Sequence, residues 1–100
     1  MSSVSLSTAL SGISAANERL RASAHNTANL QTPGFRPERV VQTSLPEGGV
    51  VAGAERSQQI QVSAERELVE QRSATYSFVA NLRVLQTQLR AEGALLDIKA

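Results

Sequence analysis

From residue 63 onward the sequence repeats with a period of seven. Leu68, Thr75, Leu82, Leu89 and Leu96 occupy one heptad position, with Phe78 and Leu85 on the companion d-type position. An apolar period of 3.5 residues held over four heptad intervals specifies a long helix that buries one narrow seam against another helix. Ser63 is placed to cap its start, and Glu65 and Glu67 in the first turn suit the positive end of the helix dipole. Gly93 interrupts the pattern at about 1 kcal/mol relative to Ala, so it predicts another backbone passing close by.

A second helical pattern opens the chain. Leu6, Ala9, Leu10, Ile13, Ala16, Leu20, Ala24 and Ala28 recur every three or four residues, and Ser7, Ser11, Ser14, Glu18, Arg21 and His25 take the opposite side. The stripe is narrow and made mostly of Leu and Ala, which suits helix-on-helix packing. It predicts a helix near 5 to 30, capped by Ser3 or Ser5. The stop is sharper: Pro33 pushes Thr32 out of the α region, Pro33-Gly34 fits the centre of a type II turn, and Pro37 prevents a restart.

Between the two patterns, two β-branched runs flank Leu45-Pro-Glu-Gly-Gly49, which predicts a short β-hairpin over 38 to 54. Val40 and Val41 fall on opposite faces, as do Val50 and Val51, and an isolated ribbon is marginal in water, so it must lean on the helices or on a neighbouring molecule. Gly48-Gly49 reads as turn chemistry in a loop with room to rearrange. Residues 57–63 alternate around Ile60 and Val62, as either a third extended piece or a loop. The chain thus reads as one mainly α structural unit. Residues 1–32 form a terminal helix, 33–62 a turn and short hairpin or extended connector, and 63–100 a second helix pairing antiparallel with the first as a coiled-coil hairpin. At 1.5 Å per residue the helices run to roughly 38 and 50 Å, so they do not match end to end. A lone helix pair also leaves Val79, Val84, Leu95 and Ile98 uncovered, which asks for partners.

Composition narrows the function. One Tyr, two Phe and no Trp, against 14 Ala and 12 Ser, favour thin, closely packed helices over a thick core. A chain this short and this lean in aromatics seldom builds a pocket several elements deep, which points away from an enzyme. Ten basic and nine acidic residues are spread evenly, with a single lysine, Lys99, so there is no basic stripe for nucleic acid. The absence of cysteine excludes disulfides and thiolate metal sites. No stretch approaches the length of a membrane span, and the N-terminus has neither a basic leader nor an apolar core, so that if the protein leaves the cytoplasm it is expected to do so without a cleaved secretory signal.

Few side chains invite chemistry. His25 has no second His or Cys to complete a metal set, and no cofactor site is expected. The serines lack a His and carboxylate pattern and are explained by caps, turns and small helix contacts. Glu65, Glu67 and Glu70 read as a solvated, dipole-favoured helix start. Asn26 and Asn29, three apart, fit either ordinary polar residues at a helix end or amides that bond across a subunit contact, and local reasoning does not choose.

The segment Ala24-His-Asn-Thr-Ala-Asn-Leu-Gln-Thr-Pro-Gly-Phe35 resembles the bacterial flagellar rod and hook protein signature A-x-N-I-A-N-x-x-T-P-G-F. Asn26, Ala28, Asn29, Thr32, Pro33, Gly34 and Phe35 coincide with it, and Thr27 stands where Ile is usual. Upstream, Ala9-Leu-Ser-Gly-Ile13 is similar to A-L-S-G-L. At the other end Ala80-Asn-Leu-Arg-Val-Leu-Gln-Thr87 and Gly93-Ala-Leu-Leu-Asp-Ile-Lys99 are similar to A-N-L-K-V-I-Q-T and G-T-L-L-D-I-K. Phe78 replaces the family Tyr, and residues 35–62 are too few for the β domains of hook and distal rod proteins, which places the resemblance nearest the small proximal rod proteins.

The resemblance implies an axial building block of the flagellar basal body, in the periplasmic rod, exported through the flagellar type III apparatus and partnered by other rod subunits. It implies assembly through Leu6, Leu10, Ile13, Leu20, Asn26, Asn29, Pro33, Gly34, Phe35, Phe78, Asn81, Leu82, Leu85, Leu89 and Leu96. Nucleic-acid binding and membrane insertion are not expected. The alternative is a small accessory helical protein that binds rod or export components without polymerising.

Overall fold

A computed structural model describes the backbone of residues 2–99 and the side chains of residues 6–93. Helix α1 (Ser2–Ala28) leads through a turn into strands β1 (Glu38–Ser44) and β2 (Val50–Arg56), and a loop then enters helix α2 (Ala64–Lys99). The helices run antiparallel: Ser23 meets Glu67, Arg19 meets Glu70, and Gly12 meets Asn81. The expected mainly α hairpin with a short β-ribbon between its helices is therefore present.

Each boundary has a local cause. Helix α1 starts before both Ser3 and Ser5, so neither is its N-cap, contrary to expectation. It ends at Ala28, and the N–H groups of Asn29, Leu30 and Thr32 then bond three residues back, the tighter pattern common where a helix stops. Phe35 N–H bonds the Thr32 carbonyl, and Gly34 has φ +73°, which is the positive third position of the expected type II turn. Ser63 caps α2 as expected, its Oγ accepting from Arg66 N–H at 3.2 Å. Residues 57–63 form a loop, with no third strand.

The strands pair antiparallel from Glu38 opposite Arg56 to Ser44 opposite Val50. The hairpin packs on α1, not along α2. Its tip closes through Leu45 N–H to Gly49 O, with positive φ at Gly48 and Gly49. At Gly49 that tip is tighter than expected, since a Cβ there would lie 2.7 Å from Ser11 Oγ.

Among the described residues the buried apolar side chains are small, Ala9, Ala15, Ala16, Ala22 and Ala74, with Pro37 also buried. By helical spacing the four alanines in α1 fall on two stripes of that helix. Ala9, Gly12, Ala16, Arg19, Ser23 and Asn26 line the α2 side. Ser11, Ala15, Glu18 and Ala22 line the hairpin side, and of these the sequence pattern places Ser11 and Glu18 opposite the apolar stripe. Ala24 and Ala28 are exposed, so the expected stripe drifts off the interface toward the end of α1.

The larger correction is in α2. Its inward face carries Glu67, Gln71, Ala74, Phe78, Asn81 and Leu85, whereas the expected seam residues Leu68, Thr75 and Leu89 are exposed and Leu82 lies at the margin. Opposite them α1 offers alanine, glycine and small polar groups, and a backbone approach that close admits Ala74 but not a row of leucines. The close approach signalled by a glycine is at Gly12, where a Cβ would stand 2.6 Å from Asn81 Nδ2. At Gly93 no described residue comes within 4 Å of that position.

Candidate functional site

The most constrained part of the molecule is a polar junction where the end of α1, the start of β1 and the start of α2 converge. Glu67, expected to be solvated, is buried there, 1% exposed. Its Oε1 accepts from Ser23 Oγ at 2.8 Å and from Asn26 Nδ2 at 3.2 Å, and its Oε2 accepts from Arg39 Nη1 at 2.8 Å. Gln71 Nε2 donates to Ser23 Oγ and Thr27 Oγ1, both at 3.1 Å. No buried side-chain polar atom among the described residues lacks a partner. A buried carboxylate is tolerated only when it is paired and hydrogen-bonded in this way.

Asn26 completes the junction. It is fully buried, its Oδ1 accepts from Glu38 N–H at 2.8 Å, and its Nδ2 donates to Glu38 O at 2.9 Å. The amide thus occupies the place of a neighbouring strand for the first residue of β1. Asn29 does something different: its Nδ2 donates to His25 O at 2.9 Å, and its Oδ1 accepts from Thr32 Oγ1 at 3.0 Å, which braces the helix end against the turn.

Two ion pairs flank the junction. Arg21 Nη2 lies 3.0 Å from Glu38 Oε1. That hydrogen bond, above all, holds the Glu38 carboxyl below the usual carboxylate range and raises the Arg21 guanidinium in turn. Arg19 forks onto Glu70 through Nε and Nη2, both at 2.9 Å, and lowers the Glu70 carboxyl likewise. Beyond the turn, the Phe35 ring meets the edge of His25 at 5.3 Å and lies under the Arg56 guanidinium at 5.4 Å.

The sequence-predicted site residues therefore separate. Asn26 is a buried hub; Asn29, Pro33, Gly34 and Phe35 form the turn beside it. Leu6, Ile13, Leu20, Phe78, Asn81, Leu82 and Leu85 are half-buried along the helix pair. Leu10 and Leu89 are exposed at 52% and 55%, and Leu96, Leu95 and Ile98 lie outside the described side chains. Ser23, Arg39, Glu67 and Gln71 were missed by sequence reasoning. The available signal was a second α2 stripe at three-four spacing, 67, 71, 74, 78, 81 and 85, hidden because it is only partly apolar.

What the arrangement can do is hold three elements in one geometry and present apolar surface outward. Among the described residues no three His, Cys, Asp or Glu side chains stand where a metal ion could be held, and no helix is long and apolar enough to cross a membrane. The chain matches no family model and no curated protein.

Proposed function

We propose that the chain is a structural subunit of the bacterial flagellar basal-body rod, assembling through the helix pair. The observation that supports this reading best is the inversion of its apolar side chains. Among the described residues the buried side chains are alanines, Pro37 and satisfied polar groups, while Leu68, Val69, Tyr76, Val79 and Val84 of α2 are each at least 40% exposed. An apolar helix face left open in a chain of this size is what a subunit completed by its neighbours requires. The residues that resemble the rod and hook signature agree with this role, since Asn26 and Thr32-Pro-Gly-Phe35 set the angle at which the hairpin leaves α1.

Fractionation of the tagged full chain tests the proposal. It should be recovered with purified basal bodies after the outer membrane and cytoplasmic components are removed. Recovery only as a soluble complex with an export or rod component would overturn it in favour of the accessory role.

A further inference from the structure

The side of α2 turned directly away from α1 is one stripe at three-four spacing: Val69, Arg72, Tyr76, Val79, Arg83 and, two turns on, Arg90. Val69 is 67% exposed and Tyr76 79%. From Val69 to Arg90 the stripe carries no acidic residue, the one carboxylate on its line being Glu65 in the first turn of α2, and no carboxylate among the described residues pairs with its three arginines. The hairpin carries the complement. Register puts Val41, Val51 and Glu55 on one face, and both valines are about half exposed; beyond the ladder, Leu45 and Glu47 are exposed at the tip. Neither Glu47 nor Glu55 has an ion-pair partner among the described residues, and Arg39, the one base on that face, is committed to Glu67. Glu55 and Glu47 are separated by about 20 Å along the ribbon, against about 17 Å of helix rise between Arg72 and Arg83.

We infer that copies of this chain associate head to tail, the outward stripe of α2 in one copy covering the outer hairpin face of the next. Both faces are apolar, their charges are opposite, and α1 is the element on which both the hairpin and α2 pack, so one molecule does not close the contact on itself. Because the two faces differ, the contact is heterologous and leaves one face open at each end of a growing assembly. The inference deepens the structural-subunit reading and rests on it for its biological setting.

Charge reversal in the full chain, followed by sedimentation velocity, tests it. Arg72→Glu with Arg83→Glu makes both faces acidic, and Glu47→Arg with Glu55→Arg makes both basic, so each variant alone should associate at least about tenfold more weakly than the unaltered chain. Mixed in equal amounts, they should recover assemblies larger than two chains, because every mixed contact is again complementary. Tyr76→Ser, which leaves charge untouched, should weaken association with unchanged helical circular dichroism. Several outcomes would overturn the inference: an unaltered chain that stays monomeric, a mixture that fails to recover, recovery only of a one-to-one dimer, or capture of a monomeric chain by anionic phospholipid vesicles. Failure here with the chain present in basal bodies removes only this contact. Success here with the chain absent from basal bodies removes only the rod assignment.

Discussion

The side-chain amide of Asn26 brackets the backbone of Glu38, accepting from its N–H at 2.8 Å and donating to its carbonyl at 2.9 Å, so a helix residue supplies both bonds that a third strand would otherwise make. Asn26→Ala leaves the Glu38 N–H without its acceptor, while the Glu38 carbonyl keeps Arg39 and the Glu67 oxygen keeps Ser23 as donors, and should destabilise the chain by about 1–3 kcal/mol. Asn26→Asp should be worse, because it loses the donor and sets a second carboxylate beside Glu67. Urea unfolding followed by circular dichroism compares them, and an Asp variant as stable as the parent would contradict the assignment of the amide.

The buried Glu67 carboxylate depends on Arg39 for its counter-charge. Arg39→Met should therefore cost toward the lower end of about 3–5 kcal/mol, since it strands a buried charge. Glu67→Gln keeps an acceptor for Ser23 and Asn26 and should cost less. Chemical denaturation of both variants checks the order.

Most of the architecture was legible in the sequence, and the facing of α2 was not. Two long helical periods, the Pro33-Gly34 stop and the β-branched runs around Leu45-Pro-Glu-Gly-Gly49 each determine local structure through short-range sterics, so they read directly. The inward stripe of α2 depends on what α1 offers it. Leucines at 68, 82 and 89 outweigh Glu67, Gln71 and Asn81 in any count of apolar residues. Yet the partner surface is alanine, Gly12 and small polar groups whose hydrogen-bond capacity must be met from across the interface. Glu67 becomes an interior residue only because Ser23, Asn26 and Arg39 arrive from two other elements.

Acid should loosen the junction. Arg21 and Arg19 depress the Glu38 and Glu70 carboxyls in the folded chain. A depressed folded value means that the stabilisation is complete above the ordinary carboxylate range and is lost as pH falls through the folded values. Stability to urea should accordingly decline on going from about pH 5 toward pH 2, and Arg19→Gln should flatten the part contributed by Glu70. A midpoint independent of pH across that window would mean that neither pair supports the fold.

The two glycine turns should respond differently to substitution. At Gly34 there is no atom within 4 Å of a prospective Cβ, so the only obstacle is the positive φ. Gly34→Asn should be tolerated, while Gly34→Val is strained by about 1–3 kcal/mol. At Gly49 the same strain is joined by a collision with Ser11, so Gly49→Ala should be harmful on its own and partly relieved by Ser11→Ala. Melting temperatures of the four variants decide, and equal damage by Asn and Val at position 34 would refute the turn argument.

Exposure divides the α2 residues into those packed in the fold and those left open to solvent. Ala74 is fully buried against α1, and Ala74→Asp places an unpaired charge in the interior, which should prevent the helices from pairing. Leu68, on the expected heptad line, is 53% exposed, so Leu68→Asp should change the stability of the isolated chain by no more than about 0.5 kcal/mol. If the outer face is where neighbours bind, the same Leu68→Asp chain should fold normally and fail to enter basal bodies. Unfolding curves and basal-body fractionation, run on both variants, separate the two roles. A Leu68→Asp chain as unstable as Ala74→Asp would place the leucine line back inside the molecule, and one that assembles normally would remove this part of α2 from the interface.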